Sequence, residues 1–380
     1  MLMKTGLKHV RVIITGGGTG GHIYPALAIA AGIRERYPNA TILYVGTDQG
    51  LESSIVPQAG YDFYAVPAAG LERRLTARNL LAVMRAWRGF GVSWGLVRRF
   101  RPHVVVGTGG YVCGPVVLAA ALQGFPTLIH EQNAVPGLTN RILSRYVSRT
   151  AVSFVDAVKY FPRRARVILT GLPVRPEILA VSRTECRRKL GLARDEFVVV
   201  SFGGSRGARS LNLAMVPVVQ ALRGRPAWRL YHAAGTAGYE EFLAALGAAA
   251  PCEGENIIIV PYFYEIATLL GAADLVVCRA GASTIAELTV LGRPSILVPY
   301  PYATDNHQEF NARALAERGA AVLIRDRELT GEGLLSIITG LQSDARRLAG
   351  MSRAARSLAK PRALDRILDT LEKLAGTRRK

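Results

Sequence analysis

Short runs of valine, isoleucine and leucine recur along the first half of the chain, and a stretch with helical apolar spacing follows each one. The runs predict strands at 10–15, 41–45, 62–66, 104–106, 127–130 and 150–153. The intervening spacing predicts helices at 25–36, 51–59, 77–99, 115–122 and 138–143. Strands that are apolar throughout, with no polar alternation, belong to a sheet covered on both faces. Their alternation with helices makes that sheet parallel. After about residue 195 the pattern starts again, with strands at 196–202, 228–232, 257–260, 275–278 and 295–298. Beyond about residue 340 the chain reads as helical and basic, with no further strand.

The two halves begin alike. "VRVIITGGGTGG" and "EFVVVSFGGSRG" are both apolar strands running into a glycine loop, and Gly203 lies 187 positions after Gly16. A chain of 380 residues also exceeds the roughly 250–300 at which a single core stops growing. The pattern therefore predicts an α/β protein of two Rossmann-like domains with parallel sheets, in tandem. The junction falls in "GLPVRPE" at 171–177, where prolines disfavour helix. The domains are placed at 1–174 and 175–349, with a C-terminal helix at 350–380 packing back on the first.

Composition removes several classes. Cys113, Cys186, Cys252 and Cys278 are scattered without a C-x-x-C, which fits a reducing compartment and no zinc site. The histidines form no H-E-x-x-H; "HEQN" at 130–133 shares only its start. The early apolar run is a strand ending in glycine, not a signal peptide. Residues 102–130 carry no formal charge over a length that could span a bilayer. Seven glycines and prolines cut this stretch, so strand, glycine loop, helix and strand explain it better.

The glycine loops carry the first chemistry. Gly16-x-Gly18-x-x-Gly21 satisfies the dinucleotide fingerprint, but in a glycine run that match is weak. No Lys-Ser/Thr follows, so it is not a Walker A loop. The second strand ends "VGT" with Asp48 late, which disfavours a nicotinamide cofactor. "GTGGY" at 107–111 and Gly203-Gly204-Ser205 are further strand-end glycine loops. Each suits either a phosphate at a helix N-terminus or close strand–helix packing. Ser205 fits a helix cap as well as a phosphate contact. Thr284-x-x-Glu287 has capping-box spacing, yet a carboxylate at that strand end also suits a ribose diol. Asp305, Asn306, Gln308 and Asn311 crowd another strand-end loop. There is no D-x-D, so neither a metal–diphosphate clamp nor any cofactor is expected, and stimulation by a divalent metal is left open.

Seven motifs in order, "GGGTGGHIYPALA", "GTGGYVCGPV", "HEQNAVPGLTNR", "GLPVR", "GGSRGARSLN", "CRAGASTIAE" and "DNHQEFNA", resemble the MurG family of bacterial cell-wall glycosyltransferases from about residue 10 to 325. The resemblance implies a GT-B fold, two Rossmann-like domains facing a cleft. It implies inverting transfer of GlcNAc from UDP-GlcNAc to the C4 hydroxyl of undecaprenyl-diphospho-MurNAc-pentapeptide (lipid I), giving lipid II. Carried over by motif, Ser205 would touch the donor diphosphate. Ala282, Ser283, Thr284, Ile285, Ala286 and Glu287 would follow the nucleotide, with Glu287 on the ribose and counted with the catalytic groups. Phe263, where the family often has isoleucine, would meet uracil through its backbone. Gln308 would contact the sugar and Arg175 the donor, while Thr19, Gly20, Gly21 and Asn133 would close over the sugar. The acceptor diphosphate would lie against Gly18, His22, Thr108, Gly109, Gly110 and Tyr111. Histidine as a residue type titrates nearest neutrality, so His22 is the candidate base, with substrate orientation as its other reading. Another GT-B enzyme, such as a diacylglycerol glycosyltransferase or a UDP-GlcNAc 2-epimerase, stays open as an alternative.

The net charge of +20 acquires meaning from its distribution. Eight arginines lie between Arg73 and Arg101, and no acid occurs from Arg73 to His130. Leu75, Leu80, Met84 and Trp87 are interleaved with Arg73, Arg74, Arg78, Arg85 and Arg88, and Leu80, Met84 and Trp87 share one helical face. Such a stripe reads as core, or as a basic amphipathic helix on an anionic membrane surface. The lipid acceptor favours the membrane reading. Nucleic acid is not expected as a partner, because no recognition motif supports it. The expected partners are UDP-GlcNAc, lipid I and an anionic membrane surface, with other cell-wall synthesis proteins beside them. The expected location is peripheral, on the cytoplasmic face of the cell membrane.

Overall fold

The computed structural model describes residues 9–69, 77–247 and 256–376. The chain divides into two compact units, Met1–Pro173 with Pro361–Lys380, and Val174–Lys360.

In the first unit, β1 (Arg11–Thr15), β2 (Thr41–Gly46), β3 (Asp62–Ala65), β4 (Val104–Gly107), β5 (Thr127–Glu131), β6 (Arg149–Val152) and β7 (Val167–Leu169) form one sheet. Its order is β3-β2-β1-β4-β5-β6-β7 and every pairing is parallel. In the second unit, β8 (Phe197–Phe202), β9 (Trp228–Ala233), β10 (Ile257–Val260), β11 (Leu275–Cys278), β12 (Ser295–Leu297) and β13 (Ala321–Leu323) pair in parallel in the order β10-β9-β8-β11-β12-β13. In each sheet the strand order reverses beside its first strand. That switch point brings the ends of β1 and β4 together in the first unit, and those of β8 and β11 in the second.

The cores explain the uninterrupted apolar strands. Val12 and Ile14 of β1 face one buried cluster with Ile23 and Ile29, while Ile13 faces another with Val105 and Val117. In the second unit Val199, Leu230 and Val277 are buried against Leu211, Met215 and Val218.

The C-terminal return differs from a single helix over 350–380. Helix Ala345–Leu358 stays with the second unit, and helix Ala363–Gly376 joins the first. The break lies at the Lys360-Pro361 step, since the residue before proline disfavours helix. Ile367, Leu368 and Leu371 enter the β1 core, and Gly32 permits their approach: a Cβ there would lie 3.0 Å from Leu364 and Leu368 side-chain carbons. Arg36 then pairs with Asp369 (2.7 Å) and Glu372 (3.2 Å), and the Tyr37 hydroxyl donates to Glu372 Oε1 (2.5 Å).

Candidate functional site

The glycine loop after β1 runs into helix Gly20–Arg36, with Thr19 as N-cap and no side-chain cap bond. The predicted start at 25 is therefore late by a turn and more; glycine's poor helix propensity hid Gly20 and Gly21 inside the element. The loop after β4 packs directly against the first one. Gly17 N donates to Gly109 O (3.3 Å), and a side chain on Gly110 would strike the Gly17 carbonyl. Gly18, Gly109 and Gly110 have φ of +82°, +109° and +83°, a region costly to residues with a Cβ. The Tyr111 ring lies beside Gly18, 3.2 Å from where a Cβ would stand.

Two of the acceptor-loop residues have other duties. Thr108 is fully buried and its hydroxyl donates to His22 O (2.8 Å), so it supports the loop and does not reach a ligand. Gly18 N donates to the buried carboxylate of Glu52 (3.0 Å), which also accepts from Thr47 N (3.1 Å) and Thr47 Oγ1 (2.8 Å). The Gly18 amide is thus held by Glu52. Thr19 and Gly21 are exposed, and Gly20, His22, Gly110 and Tyr111 are half-buried, so these can meet a ligand. Asn133 is half-buried too, its backbone N–H held by the buried Glu131 (3.0 Å), which also accepts from Gly137 N (3.1 Å) and Asn140 Nδ2 (2.9 Å).

His22 Nδ1 lies 3.1 Å from Thr108 O and 3.1 Å from Gln132 Oε1. Gln132 in turn reaches His130, which is fully buried; burial pushes its pKa down to about 4. The folded value lies below the ordinary 6.5. The neutral ring therefore stabilises the fold above about pH 6.5 and loses that contribution as pH falls toward 4. Sequence reasoning passed over Gln132, His130, Glu131 and Glu52. The only signal was the polar cluster "HEQN" at a strand end.

In the second unit a pocket of about 720 Å³ opens at the ends of β8 and β11. Ser205, Thr284 and Gln308 line it, with Arg206, Arg209 and Arg279. Helix Arg209–Leu222 begins three residues later than a cap at Ser205 would place it, with Ala208 as N-cap and no side-chain cap bond. Ser205 is thus an exposed loop residue and not a cap. Arg279 was not foreseen. Its guanidinium donates to Asp326 Oδ1 (2.5 Å), Pro299 O (3.0 Å) and Ser210 Oγ (3.0 Å), so it braces three segments of the pocket wall. Tyr300 N donates to Gln308 Oε1 (3.0 Å), which turns the Gln308 amide nitrogen outward as a donor. Asn311 is buried and donates to Ala280 O (3.3 Å), a structural role. Asp305 and Asn306 hold left-handed φ of +53° and +52° in the loop before it.

The capping-box reading of Thr284 and Glu287 fails. Helix Ala282–Leu291 has Gly281 as N-cap, so Thr284 is already in its first turn and Glu287 in its second. Glu287 instead accepts from Arg175 Nε at 2.8 Å. Burial pushes its carboxyl above the usual range, and the Arg175 guanidinium partly offsets this. Arg175 is half-exposed. Ala282, Ser283, Ile285 and Ala286 stand on the same helix, but neither they nor Phe263, Arg175 and Glu287 line the pocket. Among the described residues no group of three or more His, Cys, Asp or Glu side chains could hold a metal ion.

Helix Ala77–Phe100 presents Met84, Trp87 and Trp94 to solvent at 60%, 70% and 37% exposure, with Arg85 and Arg88 exposed among them. Its other side buries Ser93, Leu96 and Val97. Leu122, exposed at the end of helix Cys113–Leu122, adjoins this face, since the next side chain, Gln123, donates to Trp94 O (3.2 Å). Arg73, Arg74 and Leu75 lie outside the described residues, as do the side chains of Arg78 and Leu80. No described helix is long and apolar enough to cross a membrane.

Comparison with known proteins agrees with this layout. Residues 12–152 match the glycosyltransferase family 28 N-terminal domain, and residues 198–367 match the glycosyltransferase family 28 C-terminal domain. A UDP-N-acetylglucosamine–N-acetylmuramyl-(pentapeptide) pyrophosphoryl-undecaprenol N-acetylglucosamine transferase of Desulforudis audaxviator (strain MP104C) is 69% identical over 97% of this chain and 99% of its own length. The enzyme of the same description from Moorella thermoacetica is 49% identical over 96% and 99%. The crystal structure of Acinetobacter baumannii MurG superposes with a TM-score of 0.79 at 32% identity, covering 96% of this chain and 99% of that one. The chain belongs to glycosyltransferase family 28 and, within it, to the MurG enzymes.

Proposed function

We propose that this chain transfers N-acetylglucosamine from UDP-GlcNAc to the C4 hydroxyl of undecaprenyl-diphospho-MurNAc-pentapeptide, with inversion at the anomeric carbon. The observation that carries the reading is the 69% identity, along 97% of the chain, to a relative named for this transfer. The geometry supports it. The pocket in the second unit offers Ser205 and Arg206 to a diphosphate and the Gln308 amide to a sugar hydroxyl. The Arg175–Glu287 pair lies outside that lining, and its role toward the nucleoside rests on the motif resemblance. The paired glycine loops of the first unit, with the exposed first turn at Thr19 and Gly21, suit the acceptor's diphosphate and sugar.

In this reading the C4 hydroxyl gives its proton to His22 Nε2. The freed oxygen pair forms the new bond to the anomeric carbon as the bond to the β-phosphate oxygen breaks, and UDP leaves with that electron pair. Ser205, Arg206 and the uncapped start of helix Arg209–Leu222 stabilise the charge growing on UDP. The test is UDP release with a soluble lipid I analogue, against the same donor alone. Release should require the acceptor. Conversion of UDP-GlcNAc at the same rate without it would instead indicate an epimerase.

The acceptor is a lipid, and the exposed Met84, Trp87 and Trp94 beside Arg85 and Arg88 support docking on an anionic membrane, on the face where the nucleotide donor is available. Each arginine near such a surface contributes about 1 kcal/mol. A variant with Arg85→Glu and Arg88→Glu is expected to sediment with anionic vesicles at least about 30-fold more weakly than the parent, while turning over the soluble analogue as before. Parent binding should fall as salt rises. Equal, salt-insensitive binding of both proteins would refute the docking face.

A further inference from the structure

The chemistry assigned to His22 requires a particular tautomer, and the buried groups behind it specify one. A backbone carbonyl can only accept. Thr108 O at 3.1 Å therefore requires a proton on His22 Nδ1, and Gln132 Oε1, also at 3.1 Å, is a second acceptor for the same N–H. The orientation of the Gln132 amide is fixed in the same way. Its nitrogen lies 2.8 Å from Thr108 O and 3.0 Å from His130 O, two carbonyls, so its oxygen must face His22. The next ring follows: His130 Nε2 is 2.9 Å from Gly171 O and must carry its proton there. His130 Nδ1 is then bare, and it accepts from Gln132 Nε2 at 3.1 Å. Gly109 makes room for this arrangement, since a Cβ there would stand 2.9 Å from His22 Cε1 and Nδ1.

We propose that Gln132 and His130 are positioning residues that hold His22 as the Nδ1–H tautomer, with the Nε2 lone pair presented as the only proton acceptor of the ring. This deepens the reading of His22 as the base and rests on it. Burial keeps His130 neutral near pH 7, which preserves the acceptor that Gln132 needs. When Nε2 takes the C4 proton, the Nδ1–H still points at two oxygens, so the cation formed is stabilised where it arises. The same logic, in which a buried acceptor fixes tautomer and orientation without itself taking the proton, operates in hydrolase triads.

The test begins with the unaltered enzyme. Long-range proton–nitrogen correlation of histidine-labelled protein, with His22→Ala to assign the signal, should show Nδ1 protonated and Nε2 bare for His22. Free histidine favours the opposite tautomer, so finding Nε2–H would overturn the proposal without any variant of Gln132. Gln132→Leu should mix the tautomers and lower kcat about 10- to 100-fold, less than a complete tautomer loss because Thr108 O remains. Donor KM should hold. In a His22→Ala background, Gln132→Leu should cost nothing further. If His22→Ala lowers kcat but Gln132→Leu changes neither kcat nor tautomer, the positioning role is wrong and the base stands. If His22→Ala leaves kcat intact, the reading of His22 as base is itself wrong.

Discussion

Changing His22 to alanine is expected to lower kcat by about 10²–10⁴-fold and to leave the KM for UDP-GlcNAc within a factor of about two or three. The size follows from the step. General-base catalysis acts only as the C4 hydroxyl loses its proton, so its removal acts on the transition state and not on donor binding. Stability should change little. The half-buried ring gives up bonds to Thr108 O and Gln132 Oε1, but Gln132 keeps Thr108 O and both acceptors on His130 through its nitrogen. Steady-state kinetics beside thermal melting checks this. A variant with normal kcat would remove His22 from the mechanism. One that melts far below the parent would mean that the loss of rate is structural.

The sheets were legible because their strands are buried on both faces. Runs such as Val104-Val105-Val106 have no other sensible place, and the repeat of strand plus glycine loop marked the start of each domain. The strands β7 and β13 escaped notice, since three residues each carry too little pattern to separate from loop. Motif residues were legible as a set, and what failed were local alternatives weighed for single residues. A cap was one reading of Ser205 because it ends a glycine loop after a strand, but the helix begins only at Arg209. Thr284 and Glu287 looked like a capping box because capping spacing says nothing of where a helix begins, and this one begins at Ala282. Thr108 looked like a ligand contact, although its hydroxyl is buried beneath the loop. The bonds from His22 to Thr108 and Gln132 span 86 and 110 positions, from Gly171 to His130 a further 41, and no local pattern encodes them. They become visible only once β1, β4 and β5 lie side by side.

Glu287→Ala is expected to raise the KM for UDP-GlcNAc by about 10- to 100-fold, the loss of one charge-assisted hydrogen bond of about 1.5–3 kcal/mol to the ribose together with the anchor of Arg175. The KM for the lipid acceptor should move little, because Glu287 and Arg175 belong to the second unit and the glycine loops to the first. Stability separates this role from a structural one. A cap removed costs about 1 kcal/mol, but Gly281 is the N-cap here and Glu287 lies a turn beyond it. Burial holds the Glu287 carboxyl above its ordinary value, so the folded chain binds its proton more readily than the unfolded one. The group's contribution therefore declines as pH rises through that range, and at neutral pH the buried charge is held at a cost. Its removal should leave the melting temperature nearly unchanged at pH 7 and flatten this part of the pH dependence. Glu287→Gln, which keeps an acceptor oxygen and the side-chain volume but loses the charge, should fall between the parent and the alanine variant in donor KM. Donor and acceptor kinetics with parallel melts distinguish the roles. A donor KM held at the parent value alongside a lowered melting temperature would make Glu287 a structural partner of Arg175 and nothing more.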